Sequence, residues 1–131
     1  MASKILIVDD TETMRLTQQM MLKNEDCEIE MATNGVEALE KIGLNKPDLV
    51  LMDIMMPEMD GIECCRQIKN NDAYSDIKVV MVTTRSEYAR VKEAFAAGCD
   101  DYINKPINKE ELLTKVNDLL KFVSLRKLLK N

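Results

Sequence analysis

Histidine is absent from the 131-residue chain. That absence excludes Ser-His and Cys-His nucleophile pairs and His-ligated metals within it, leaving carboxylates, hydroxyls and lysine to carry any chemistry. No uncharged apolar stretch approaches the roughly 20 residues of a membrane-spanning helix. Met1-Ala2-Ser3-Lys4 leads directly into a short apolar run without a signal-peptide pattern, so a cytoplasmic protein is expected. The four cysteines, Cys27, Cys64, Cys65 and Cys99, show no C-x-x-C spacing. A chain of this length needs no bridges, and free buried thiols are expected. Basic charge is also in deficit: 18 Lys and Arg against 23 Asp and Glu give a net charge of −5, the wrong sign for gripping nucleic acid by its phosphates. No linker, repeat or low-complexity segment interrupts the chain.

With 46% hydrophobic and 31% charged residues, the balance is that of one globular domain. At this mass a folded surface of roughly 7,000 Å² replaces roughly 22,000 Å² in the open chain, enough burial for a real core. Continuous apolar runs at Ile5–Val8, Leu49–Met52 and Val79–Val82 predict strands buried on both faces. Cys27–Ala32 alternates apolar and acidic residues, as in a strand near a sheet edge. Asp101–Asn104 is a short fifth candidate.

Helices are expected at about 12–24, 35–44, 61–71, 87–97 and 109–121. Asn34 with Glu37, Asp60 with Glu63 and Asn108 with Glu111 carry the spacing of an N-cap followed by Glu. Ala38, Leu39 and Ile42, and Val91 with Phe95, fall at inward spacing. Five βα units in sequence predict a doubly wound parallel α/β sheet with helices on both faces.

In an open α/β sheet, ligands bind beyond the carboxyl ends of the strands. There the sequence places Asp9-Asp10 after the first run, Asp53 after the third, Thr83-Thr84 after the fourth and Lys105-Pro106 after the fifth. Singly, Asp9 and Asp10 are also read as helix caps, Asp53 as opening a turn and Thr83 as ending a strand. Together, several carboxylates at one sheet edge call for a compensating cation. Oxygen-only ligands favour Mg²⁺. Lys105 and Thr83 suit the equatorial oxygens of a phosphoryl group, and Asp53 is left as a nucleophile.

Ile5-Leu6-Ile7-Val8-Asp9-Asp10, the stretch Leu51–Gly61 with Asp53, Pro57 and Asp60-Gly61, Val82-Thr83-Thr84 and Lys105-Pro106 resemble a response-regulator receiver domain of two-component signalling. The resemblance covers about residues 3–121, leaving 122–131 as a basic and apolar extension. It implies a flavodoxin-like fold with strand order 2-1-3-4-5. It further implies that Asp53 accepts a phosphoryl group from a sensor histidine kinase or phosphotransfer protein. Asp9, Asp10, Asp53 and the backbone carbonyl of Met55 would hold Mg²⁺. Lys105 would contact the phosphate, Thr83 would be the switch hydroxyl, Tyr102 the rotating aromatic, and the Lys105-Pro106 bond would be cis. Such a protein is not an enzyme beyond promoting its own phosphorylation and slow dephosphorylation. Departures fall at Met55, Thr84 and Arg85, near the path of an attacking water, where they are expected to set the lifetime of the phosphoryl group.

The implied output surface is helix 4, strand 5 and helix 5, with Tyr88, Arg90, Tyr102 and positions after Asn108, facing an unknown protein target. Met14, Met21, Met52 and Met81 read as core filling, and one of Cys64 and Cys65 as core-facing. Towards the C-terminal end, Leu112, Val116, Leu119, Leu120 and Val123 form one helical stripe, while Phe122, Leu125 and Leu129 lie roughly 130° away. Lys121, Arg126, Lys127 and Lys130 make it basic. Either the helix continues and offers a second face to a partner or to a homodimer formed on phosphorylation, or it breaks and packs back. A stand-alone regulator without direct nucleic-acid or membrane binding is expected. The alternatives are a receiver module from a longer regulator or hybrid kinase, or, distantly, an aspartyl phosphohydrolase, which wants a second acid where Met55 stands.

Overall fold

A computed structural model describes residues 2–130. Five strands alternate with helices: β1 Ser3–Val8, α1 Glu12–Met21, β2 Cys27–Ala32, α2 Gly35–Leu44, β3 Leu49–Asp53, α3 Gly61–Asn70, β4 Lys78–Thr83, a 3₁₀ segment Arg85–Arg90, α4 Val91–Ala96, β5 Asp101–Asn104 and α5 Lys109–Lys130. The strands form one parallel sheet in the order β2-β1-β3-β4-β5. This is the expected flavodoxin-like arrangement. The exposed surface, 7302 Å², matches the roughly 7,000 Å² that folded-chain scaling gives for this mass.

The strand alternation divides the core in two. Leu6, Val8, Val50, Met52, Val79 and Met81 face α2, α3 and α4, where Ala38, Ile42, Ile62, Cys65, Ile68 and Ala94 cover them. Ile5, Ile7, Leu49, Leu51, Val80, Val82 and Ile103 face the other way and meet Leu22, Leu112 and Val116. The edge strand β2 is half-buried apart from exposed Glu28 and buried Ala32, in keeping with its acidic alternation.

The three expected caps are made: Asn34, Asp60 and Asn108 accept from the N–H groups of Glu37, Glu63 and Glu111 at 2.8, 2.9 and 3.0 Å, each satisfying an orphan donor of its helix. Three expectations are corrected. The helix expected from residue 87 starts as a 3₁₀ turn and becomes α-helical only at Val91. Phe95 points outward, 45% exposed, because Ala94 and Ala97 take the inward places. Both Cys64 and Cys65 are buried, since α3 lies between neighbours. The Cys64 thiol approaches the Gly35 carbonyl and the Cys65 thiol that of Ala97. All four cysteines are free, and burial pushes Cys64 and Cys99 up to about 12 and Cys65 to about 11, so these thiols stay protonated.

The last helix neither breaks nor folds back: α5 continues to Lys130. Phe122, Leu125, Leu128 and Leu129 are exposed on it, while Val123 is half-buried. Lys127 reaches Asp48 at 2.8 Å, and the Lys78 ammonium lies 4.5 Å from the centre of the Phe122 ring. The far end of α5 borders the start of β1, where Ala2, Ser3 and Lys4 share a groove with Val123, Ser124 and Leu128. Among the described residues, no helix is long and apolar enough to cross a membrane.

Candidate functional site

Strand register brings the polar residues together. Val8 pairs with Met52, so Asp9 and Asp53 follow side by side; Asp53 pairs with Val82, one residue before Thr83. Thr83 in turn pairs with Asn104, and the Lys105 N–H donates to the Thr83 carbonyl at 2.6 Å. Residues up to 96 positions apart thus meet at one end of the sheet. The Lys105-Pro106 peptide is cis.

Carboxylate oxygens of Asp9, Asp10 and Asp53 lie within 4.8 Å of one another; Asp9 and Asp53 are buried and Asp10 is exposed. The Lys105 ammonium sits 3.3 Å from an oxygen of Asp9 and 3.3 Å from one of Asp53. Burial first, and then the charge of Asp9, push Asp53 up to about 6, against the opposing pull of Lys105. Burial alone would lower Lys105, but Asp53 and Asp9 outweigh it and hold the ammonium above its ordinary value. One lysine therefore serves two buried carboxylates, leaving an excess of negative charge. Three oxygen donors with one side open to water fit a hard divalent cation such as Mg²⁺.

Thr83 is 0% exposed, yet its hydroxyl has no hydrogen-bond partner. A buried donor without a partner is costly, and Thr83 stands at the strand end, one residue past Val82, the pairing partner of Asp53. Asp9 is fixed from its own loop, its carboxylate accepting from the Thr11 N–H at 2.8 Å and its carbonyl from Arg15 at 2.7 Å.

The loop after Asp53 is tightly built. Met59 N–H donates to the Pro57 carbonyl at 2.8 Å, closing a γ-turn around Glu58, whose φ of 68° lies in the left-handed region. The Gly61 N–H returns to the Ile54 carbonyl at 2.8 Å. A Cβ at Gly61 would collide with the Asp53 carbonyl oxygen, so only glycine lets α3 start against the end of β3. Met55 is 59% exposed at the rim.

With this geometry in place, the response-regulator receiver-domain family profile matches residues 5–117. The chain belongs to the response-regulator receiver family. It is 37% identical to protein PilG of Pseudomonas aeruginosa over 110 residues, 84% of this chain and 82% of PilG. It is 38% identical to response regulator MprA of Mycobacterium sp. (strain KMS) over 124 residues, 95% of this chain but 53% of MprA, so it spans about half the length of that relative. Among solved structures, the signal receiver domain of a LuxO repressor protein from Vibrio parahaemolyticus aligns with a TM-score of 0.92 at 26% identity, covering 100% of this chain and 99% of that one.

Other residues expected around the receiver pocket are spread differently. The Tyr102 hydroxyl contacts that of Tyr88 at 3.2 Å, with the Phe95 and Tyr88 rings edge-on to it. Arg85 is exposed. The Thr84 hydroxyl is engaged by Ser86 at 2.8 Å and by Glu87 at 3.0 Å. Arg90, expected on an outer surface, reaches inward to Asp60 at 3.0 Å as well as to Glu93. Glu87 is a buried carboxylate that the strand-end reading does not reach. Thr84-Arg85-Ser86-Glu87 nevertheless carries the capping-box spacing that would have found it.

Proposed function

We propose that this receiver domain is a phosphorylation-activated switch in which Asp53 is the phosphoacceptor. The observation that carries the reading is the Lys105 ammonium, shared at 3.3 Å between buried Asp9 and Asp53, next to a buried Thr83 hydroxyl with no partner. An Asp53 oxygen attacks phosphorus, and the bond to the donor nitrogen of a phosphohistidine breaks. The electron pair leaves with the imidazole, and an acyl phosphate remains on Asp53. Asp9, Asp10 and Asp53, with the Met55 carbonyl, would hold Mg²⁺, which when bound neutralises carboxylate and phosphoryl charge. Lys105 orients the transferred group by its charge, and Thr83 donates to one of its oxygens.

A phosphoryl group that draws Thr83 inward opens room beneath it for Tyr102 and shifts an existing equilibrium. The Tyr88–Tyr102 contact is what such a shift would break, altering the surface of α4, β5 and α5 for a protein target. A sensor histidine kinase or phosphotransfer protein is the donor, acting in the cytoplasm. The half-length match to MprA supports a second reading, a receiver module working beside a further domain.

The test is incubation with Mg²⁺ and acetyl phosphate, followed by intact mass. One phosphoryl group is expected on the parent and none on Asp53→Ala; an adduct that survives this substitution refutes the assignment. Decay of the adduct in Met55→Asn and Arg85→Glu tests whether these rim positions set its lifetime. Rates equal to the parent's would exclude them.

A further inference from the structure

We infer that Glu87 is a positioning residue for the phosphoryl pocket: its carboxylate clamps Thr84 while Asp53 is unmodified, and negative charge arriving at Asp53 drives it off. The inference rests on Asp53 being the phosphoacceptor. Glu87 is 6% exposed. One of its oxygens accepts from the Thr84 N–H at 2.8 Å and from the Thr84 hydroxyl at 3.0 Å. Among the described residues, no lysine or arginine lies within ion-pair distance of it. A buried carboxylate held by two neutral donors and no cation is the least compensated charge near the site.

Two features make this charge an antagonist of phosphorylation rather than a simple helix cap. Asp53 pairs with Val82, and two residues further along, where the chain leaves β4, Glu87 holds Thr84, so its charge lies beside the pocket and opposes a phosphoryl group there, with roughly −1.5 to −2 of charge. The residue also sits on the 3₁₀ segment Arg85–Arg90, a form of helix with poorer hydrogen bonds, whose Arg85, Ser86, Tyr88 and Ala89 are exposed. That segment is held at its start by Glu87 on Thr84 and at its end by Arg90 on Asp60. Losing the first hold frees the Thr84 N–H, one residue past the unpartnered Thr83 hydroxyl. It also carries away Tyr88, whose hydroxyl steadies Tyr102.

Glu87→Gln keeps an acceptor for Thr84 and deletes the charge, whereas Glu87→Ala deletes both. With acetyl phosphate and Mg²⁺, an Asp53 oxygen bonds to phosphorus as the bridging P–O bond breaks and acetate departs with its electron pair. Uptake followed by intact mass is expected to be about tenfold faster in Glu87→Gln than in the parent, from the loss of one like charge. The Thr84 amide resonance should hold its parent position in unphosphorylated Glu87→Gln and move in Glu87→Ala. In the parent alone, the Glu87 side-chain carboxyl resonance must shift when Asp53 is phosphorylated, a readout that needs no variant to fold. A parent that takes up the phosphoryl group while its Glu87 carboxyl resonance stays fixed overturns the inference alone, as does Glu87→Gln taking it up at the parent's rate. A parent that takes up none overturns the reading of Asp53, and this inference with it.

Discussion

Asp53 is a liability until something neutralises it. Its carboxyl stands at about 6 against an ordinary 3.8, through burial and then the Asp9 charge. The metal-free folded chain therefore binds this proton more tightly than the unfolded chain does, and stability falls as pH rises from about 4 through about 6. The full penalty, of the order of 3 kcal/mol, is present at pH 7. In chelator, Asp53→Asn should be more stable than the parent at pH 7, and the gap should close towards pH 4, as measured by urea unfolding. Curves that run parallel across this range would remove Asp53 as the source. Gly61 is the other residue on which the pocket depends. Because a Cβ there meets the Asp53 carbonyl oxygen, Gly61→Ala is expected to lower the urea midpoint by the equivalent of about 2 kcal/mol or more.

At the scale of elements, the strands were legible because burial on both faces leaves no room for polar residues, and the apolar runs match β1, β3 and β4 closely. The region after β4 was less so. Ala94 and Ala97 face inward there while Phe95 faces out, so the larger side chain suggests the wrong face. Gly98, at φ 104°, then ends the helix with Lys69 against it. The strand-end rule found Asp9, Asp10, Asp53, Thr83 and Lys105, since register alone assembles them. It missed Arg90 on Asp60, a pairing across 30 residues that only the packing of α4 against α3 creates. The course of α5 beyond 121 was open because its second apolar stripe fits either a continued or a broken helix. Its added turns are tied down by Lys127 on Asp48 and by Phe122 under Lys78, both exposed enough to be weak. A chain ending at Lys121 should lose about 1–2 kcal/mol by urea unfolding and still accept the phosphoryl group.

For the molecule as a whole, the net charge of −5 divides into an acidic body and a basic last helix, with no acid after Asp118. Part of the body's charge is gathered at one sheet end, in Asp9, Asp10 and Asp53. Mg²⁺ at about one hundred times its dissociation constant should add about 2.7 kcal/mol, or roughly 10 °C in melting temperature for a chain of this size. Asp10→Asn should blunt the rise. A melting temperature unmoved by Mg²⁺ in the parent would reject the acidic cluster as a cation site.

The groove shared by Ala2, Ser3 and Lys4 with Val123, Ser124, Lys127 and Leu128 sets the start of β1 beside the last turns of α5. A Gly-Ser bridge from Leu128 to Ala2 would join the two, and the exposed turn at Asn71–Ala73 offers a place for new ends. Such a circular permutant keeps each strand beside its neighbour and leaves the Asp53 end untouched, while α5 and β1 become consecutive in sequence. It should show the parent's far-ultraviolet circular dichroism and take up the phosphoryl group, so the order in which the pieces are threaded is separable from the pocket they build.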